Sequence, residues 1–405
     1  MPVTGSITTR FIDEKGLDLG KTLIEKDYLI SVYPNIVNQL DTPMLMGWGL
    51  GGTTGQLGDN TITSKSSPVQ TIAYGNNWKQ VSIRSHAASI KTDGTLWLWG
   101  PNSSGELGDN SAVPKSSPVQ TVAFGTNWKQ VSTGYSATTR ACTAAIKTDG
   151  TLWTWGGNAY GQLGDNTITP RSSPVQTVAF GTNWKQVSAG YNCAAIKTDG
   201  TLWTWGSNDW GQLGDNTITK RSSPVQTIAF GTNWSQVSCG RFHVAAIKTD
   251  GTLWCWGRNS VAQLGDNTTT SRSSPVQTVA FGTNWKQLSC GLNTTTAIKS
   301  DGTLWCWGNG TNGQLGDNTI TLKSSPVQTV TFATNWKQVS CGANHSAAIK
   351  TDGTLWCWGL GTSGQLGDNT ATSKSSPVQT VIFGNTWKVV SCGVNFTFAI
   401  KDGDF

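Results

Sequence analysis

Acid–base chemistry in this chain would fall first to its three histidines, His86, His243 and His345. Each lies four residues before an isoleucine (Ile90, Ile247, Ile349), and Cys142, Asn192, Thr294 and Phe396 occupy that place in other copies of the same pattern. One residue type per structural position, freely exchanged for Asn or Phe, describes an imidazole packed at a tight turn. The pairs Cys239/His243 and Cys341/His345 have a Cys-x₃-His spacing, but no second ligand pair lies close to either in sequence, so no metal is expected. Seven of the nine cysteines sit at two repeated places: Cys239, Cys290, Cys341 and Cys392 before a glycine, and Cys255, Cys306 and Cys357 between paired tryptophans. Strands carrying those two places would flank a third, about 9.6 Å apart. That exceeds the ~7 Å Cα limit of a disulfide, so small buried thiols are expected.

The acids are equally committed. Of the 17 after residue 46, seven belong to Gly-Asp-Asn and seven to a hairpin turn, leaving Glu106, Asp209 and Asp404. Aspartates in such turns accept local backbone hydrogen bonds, and no Asp-x-Asp-x-Asp run suggests calcium. Gly47-x-Gly49-x-x-Gly52 matches a dinucleotide loop but precedes no helix that could cradle phosphate. No paired carboxylate, triad or cofactor loop survives, so the sequence reads as non-enzymatic, with no cofactor.

The elements that hold these residues are repeats. Asp250-Gly251 is a two-residue hairpin signal, and in Leu253-Trp254-Cys255-Trp256 the two indoles share one face of a strand. Leu-Gly-Asp-Asn recurs from Leu57, Leu107, Leu163, Leu213, Leu264, Leu315 and Leu366, at intervals of 50, 56, 50, 51, 51 and 51 residues. Seven copies of this length are the signature of a propeller or solenoid. Four short strands are expected per copy: Pro224 to Phe230, Trp234 to Ser238, Val244 to Lys248 and Leu253 to Gly257. The chain should therefore form an all-β, seven-bladed propeller over residues 44–405, with Met44 to Gly49 completing the blade built by the C-terminus and removing a free edge. With 21 tryptophans at ~150–250 Å² each, the blades can cohere although only 36% of residues are hydrophobic.

Residues 1–43 differ. Thr22 and Glu25 suggest a capping box, and Leu23, Tyr28, Leu29 and Tyr33 mark the apolar side of one short helix ended by Pro34. This segment either packs on the propeller or docks it onto a larger assembly. Residues 1–46 carry six acids and four bases, the remainder 17 acids and 25 bases. An anionic partner is thus allowed, but nucleic acid is not implied. No signal-peptide run or membrane-length apolar stretch is present, and the expectation is a soluble chain made in the cytoplasm.

Trp205-Gly206-Ser207-Asn208-Asp209-Trp210-Gly211-Gln212-Leu213-Gly214 and Gly240-x-x-His243-x-x-Ala246-Ile247 resemble the repeat of the regulator-of-chromosome-condensation family. The resemblance spans about residues 44–405 and implies a seven-bladed propeller. It implies little about activity, since such propellers act as exchange factors, chromatin binders and inhibitors.

Strand parity separates a monotonous face, carrying the Asn-Trp and Asp-Gly turns, from a variable one. The variable face should carry Tyr135, Arg140, Tyr160, Tyr191, Asp209, Trp210, Arg241, Phe242 and Arg258, with a basic ring of Lys65, Lys115, Arg171, Arg221, Arg272, Lys323 and Lys374 on or near it. Aromatics interleaved with arginine are interface chemistry. Two functions are expectations from resemblance: the low charge, the Thr/Asn/Ser/Gly-rich loops and the near-identical copies resemble virion display proteins of tailed phages, and the repeat resembles that of a nucleotide-exchange regulator. In one, a non-catalytic recognition propeller is displayed on an assembly such as a phage virion, as a tail-fibre or capsid decoration anchored through residues 1–43, with a host surface on the variable face. In the other, a nucleotide-exchange or similar regulator binds a small GTPase or chromatin.

Overall fold

The computed structural model describes residues 43–402, apart from 73–76, 124, 136–140, 180, 229–230, 280–281, 332 and 383. Twenty-eight strands, from β1 (Met44–Gly49) to β28 (Phe396–Lys401), form seven four-stranded antiparallel sheets. Among the described residues no helix is long and apolar enough to cross a membrane.

A representative blade runs β15 (Trp234–Cys239), β16 (His243–Lys248), β17 (Leu253–Gly257) and β18 (Arg272–Gln277), from the propeller axis outward. The outermost strand begins three residues before Pro224 or Pro275 rather than at the proline. An edge strand tolerates this because its outward N–H side needs no partner. Closure also differs from expectation in one respect. The last sheet has the order β2-β1-β28-β27, so β2 (Lys65–Gln70) joins β1 in completing the blade begun by β27 (Trp387–Cys392) and β28. Half of the closing sheet is N-terminal.

Blades adhere through apolar faces of opposite parity. Leu253 and Cys255 pack with Trp285 and Trp307 of the next blade, while Trp256 packs with Ile196 and Leu202 of the previous one. Leu-Gly-Asp-Asn is the clamp over this seam. Trp256 Nε1 donates to the Gln212 carbonyl at 2.9 Å, and a Cβ on Gly214, whose φ is +65°, would lie 2.9 Å from that nitrogen. Only glycine meets both demands.

The axial strands would otherwise expose a free edge. Side chains from the preceding blade satisfy it. Gln186 Nε2 donates to the Val237 carbonyl at 3.2 Å, and its Oε1 accepts from the Val237 N–H at 3.0 Å, so one amide imitates a strand. Ser188 Oγ accepts from the Cys239 N–H at 2.8 Å. Serine recurs at every seam, but Val389 replaces glutamine where the last blade meets the first. Gln186→Ala should lower the unfolding free energy by about 1–3 kcal/mol, the cost of two unsatisfied backbone groups. Val389→Gln should raise it by about 1 kcal/mol. Urea unfolding midpoints of both variants measure the two effects.

Candidate functional site

The variable face is assembled from the loop after each axial strand and the long connection after each Trp-Gly. Arg258 N–H donates to the Phe242 carbonyl at 2.9 Å, and Ser207 N–H to that of Tyr191 at 3.2 Å, so the two loops of a blade lie side by side. The buried Asn208 gives the long connection its shape. Its Nδ2 donates to Asp215 Oδ1 at 3.2 Å and to the Thr217 and Thr219 carbonyls at 3.1 and 3.0 Å, while its Oδ1 accepts from the Leu213 N–H at 2.9 Å.

On this frame six side chains from three blades form one continuous ladder. Tyr160 and Tyr191 have ring centroids 6.4 Å apart, and Phe242 meets Tyr191 edge-on at 5.1 Å. The Arg241 guanidinium lies 5.1 Å from the Tyr191 centroid and 4.8 Å from that of Phe242, and it donates to Tyr191 Oη at 3.1 Å. Arg258 continues the stack, 5.5 Å from Phe242 and 5.1 Å from Trp210. Lys220 covers Tyr160 at 4.7 Å and pairs with Asp209 at 3.0 Å. Each cation held over a ring in partly exposed surroundings contributes on the order of 0.5–1 kcal/mol. The result is a pre-ordered surface rather than a set of loose loops.

Two residues expected on that surface are not there. Tyr191, 2% exposed, lies beneath the ladder as its base, and Tyr135, 1% exposed, lies at the propeller axis. Burial of aromatic carbon outweighs the loop position of both. Trp210, 41% exposed, remains on it. Arg140, with most of the six extra residues (around Ser136 to Ala141) that make the second repeat interval 56, and the docking residues Leu23, Tyr28, Leu29 and Tyr33 lie outside the described residues. The basic ring does not offer free charge. Lys65, Lys115, Arg171, Arg221, Arg272, Lys323 and Lys374 each pair with the aspartate of the preceding Gly-Asp-Asn, at 3.0 to 3.9 Å.

The axis holds a group that the motif reading passed over. Six blades place glycine after the axial strand, and those glycines form an annulus. A Cβ on Gly240 would stand 2.7 Å from the Gly291 carbonyl oxygen. The first blade has Arg84 instead. Its guanidinium crosses the mouth of the channel and donates to the carbonyls of Cys290 (2.8 Å), Cys392 (3.4 Å) and Cys341, on three other blades. It also lies 4.8 Å from the Tyr135 ring, whose hydroxyl reaches the Gly342 carbonyl at 3.5 Å.

The histidines are fully buried between blades, donating to or accepting from the hydroxyls of Thr143, Thr295 and Thr397 at 2.7, 3.0 and 2.9 Å. Burial pushes all three down to about 3, so they are neutral spacers at neutral pH. Glu106 is likewise buried, its carboxyl pushed up by that burial while accepting from the Ser104 N–H at 2.8 Å; it fills the place of glutamine in the other copies.

The opposite face is less plain than its sequence. The hairpin indole Trp254 is half-buried. Lys248 Nζ lies over it at 4.8 Å and over Trp234 at 5.0 Å, a sandwich repeated in six blades. Trp254 Nε1 donates to Thr252 Oγ1 at 2.9 Å, and Thr252 donates to Asp250 Oδ1 at 2.7 Å. The Thr252 hydroxyl and N–H together hold the Asp250 carboxyl below its usual range.

Known proteins share this architecture. Residues 44–399 match the family model of the RCC1-like domain. The ultraviolet-B receptor UVR8 of Arabidopsis thaliana is 32% identical over 336 residues, which cover 82% of this chain and 63% of that protein. The chain therefore spans less than two thirds of the length of the curated relatives it matches. Among solved structures, Prp20p of Saccharomyces cerevisiae superposes with a TM-score of 0.79 at 18% identity, covering 90% of this chain and 93% of that one. Human WBSCR16 gives 0.78 at 19% identity, covering 90% and 100%. The seven sheets, the Trp-Gly-x-Asn connection and the match over residues 44–399 place the chain in the RCC1-like domain family of seven-bladed propellers.

Proposed function

We propose that the propeller is a non-catalytic recognition module of the regulator type, which engages a protein partner through the face bearing Tyr160, Asp209, Trp210, Arg241, Phe242 and Arg258. The observation that carries this reading is the cation–aromatic ladder across three blades. It is rigid before binding, so little side-chain entropy is lost on contact, and its Trp and Arg are the residue types that dominate interface energies. The charged groups of the described residues support a binding role over a catalytic one, because the acids are tied into turns and ion pairs and the imidazoles are buried.

The relatives favour regulation over virion display. One is a receptor, and Prp20p is described by its binding properties to Gsp1p and histones. A small GTPase or a chromatin protein is accordingly the partner class we infer. Capture with the full chain from cells, followed by the same experiment with Tyr160→Ala, Trp210→Ala and Phe242→Ala together, tests the face. The triple variant should bind its partner at least tenfold more weakly, since each removed anchor contributes about 1–2 kcal/mol. Unchanged affinity would move the interface elsewhere.

A further inference from the structure

The monotonous face carries an unneutralised charge that its repetition hides. Every axial strand has a β-bulge at its second residue: Trp184 pairs with Lys197 and Gln186 with Ile196, leaving Lys185 without an opposite residue. The same shift occurs in all seven blades. A bulge re-aims the extra side chain, and here it turns it out to solvent at the rim of the channel. Lysine fills the place in six blades (Lys79, Lys129, Lys185, Lys286, Lys337, Lys388), all exposed, and Ser235 in the seventh.

Neighbouring charges leave this rim positive. The sandwiched lysines farther out, Lys248 and its equivalents in five other blades, each have a hairpin aspartate two residues on. Lys388 pairs with Asp402 at 2.9 Å. Lys79, Lys129, Lys185, Lys286 and Lys337 have no acidic partner among the described residues, so five cations face one axis with nothing to offset them. At the far end Arg84 and Tyr135 lie across the channel mouth.

We propose that the lysine rim binds a compact polyanion, a small molecule bearing several phosphates around one centre. The charges converge on a pseudo-sevenfold axis instead of following a track. A compact ligand can meet all of them together, whereas a linear polyanion would meet two or three. Lysine suits this role, being a mobile point charge that asks no planar fork of its ligand. The rim lies on the face opposite the cation–aromatic ladder, so the two sites stand or fall separately.

The test is calorimetry on the full chain with inositol hexakisphosphate as probe. One equivalent should bind, more weakly as salt rises. Lys129→Gln, Lys185→Gln, Lys286→Gln and Lys337→Gln combined should weaken binding about fifteen- to eightyfold, from about two- to threefold per exposed charge. Ser235→Lys, which completes the rim at the cost of the Ser235 hydroxyl's 2.9 Å hydrogen bond to the Ile247 carbonyl, should tighten it about twofold to threefold. An oligothymidylate with the same number of phosphates should bind more weakly. Binding unchanged in the fourfold variant overturns the proposal, as does no gain from Ser235→Lys. Equal or tighter binding of the oligonucleotide, or of an oligoglutamate, would make the rim a general surface for linear polyanions and overturn it equally.

Discussion

Between pH 7 and pH 5 the propeller should lose roughly 6 kcal/mol of stability, about 2 kcal/mol for each of His86, His243 and His345. An unfolded histidine titrates near 6.5, whereas burial holds these three at about 3 in the folded protein. Between those values the unfolded chain takes up protons that the folded chain refuses, so acid drives unfolding. The contribution is fully present above about pH 6.5 and is lost progressively as pH falls towards 3. Arg84 adds a smaller repulsion at His243 and His345. The hairpin aspartates Asp93, Asp149, Asp199, Asp250, Asp301 and Asp352, held below 3.8, begin to matter only in stronger acid. Glu106, raised by burial, opposes the trend at a single site. Urea unfolding at pH 7, 6 and 5 measures the slope. Replacing His243 by Thr and His345 by Asn, residues that other copies carry at this place, should remove about two thirds of it. A slope that survives both substitutions would assign the acid sensitivity to other groups.

That result depends on a position the sequence displayed openly. His86, His243 and His345 fall four residues before an isoleucine, and the exchange for Asn192 or Thr294 marks the site as structural. The hairpin around Asp250 and Gly251 was equally legible, because a period of two and a turn dipeptide are local signals. Contacts between strands of a blade and between neighbouring blades were not. Lys248 stacks between Trp234 and Trp254, which places one of the two hairpin indoles at the surface of the blade although both alternate like core residues. Tyr191 has the neighbours of an exposed loop residue, and only the arrival of Phe242 and Arg241 from the next blade buries it. The bulge at Lys185 leaves no trace in composition, since Trp-Lys-Gln reads as ordinary alternation. Lys65 and its equivalents looked like free charge because their aspartates lie six residues back, across a turn whose path the sequence does not state.

Arg84 is the residue whose loss should weaken the ring itself. Arg84→Gly restores the residue type found at that place in the other six blades, so no clash is introduced, yet it should lower the unfolding free energy by about 3–5 kcal/mol. The guanidinium donates to carbonyls on three blades and lies against the ring of Tyr135. A hydrogen bond from a charged donor contributes about 1.5–3 kcal/mol, and partial exposure at the channel mouth returns some of that to water. These three acceptors lie more than 200 residues away in sequence. They tie the first blade directly to the last three, including the one the two chain ends must close together. Arg84→Lys separates charge from geometry. A lysine keeps the cation but cannot present a planar fork to carbonyls on separate strands, so it should recover less than half of the loss. Hydrogen exchange at Gly291, Gly342 and Gly393 should quicken in Arg84→Gly, because their annulus then surrounds an open channel rather than a guanidinium. A wild-type midpoint in Arg84→Gly would show that the glycine annulus and the glutamine clasps close the ring unaided, and that the arginine serves only to block the channel.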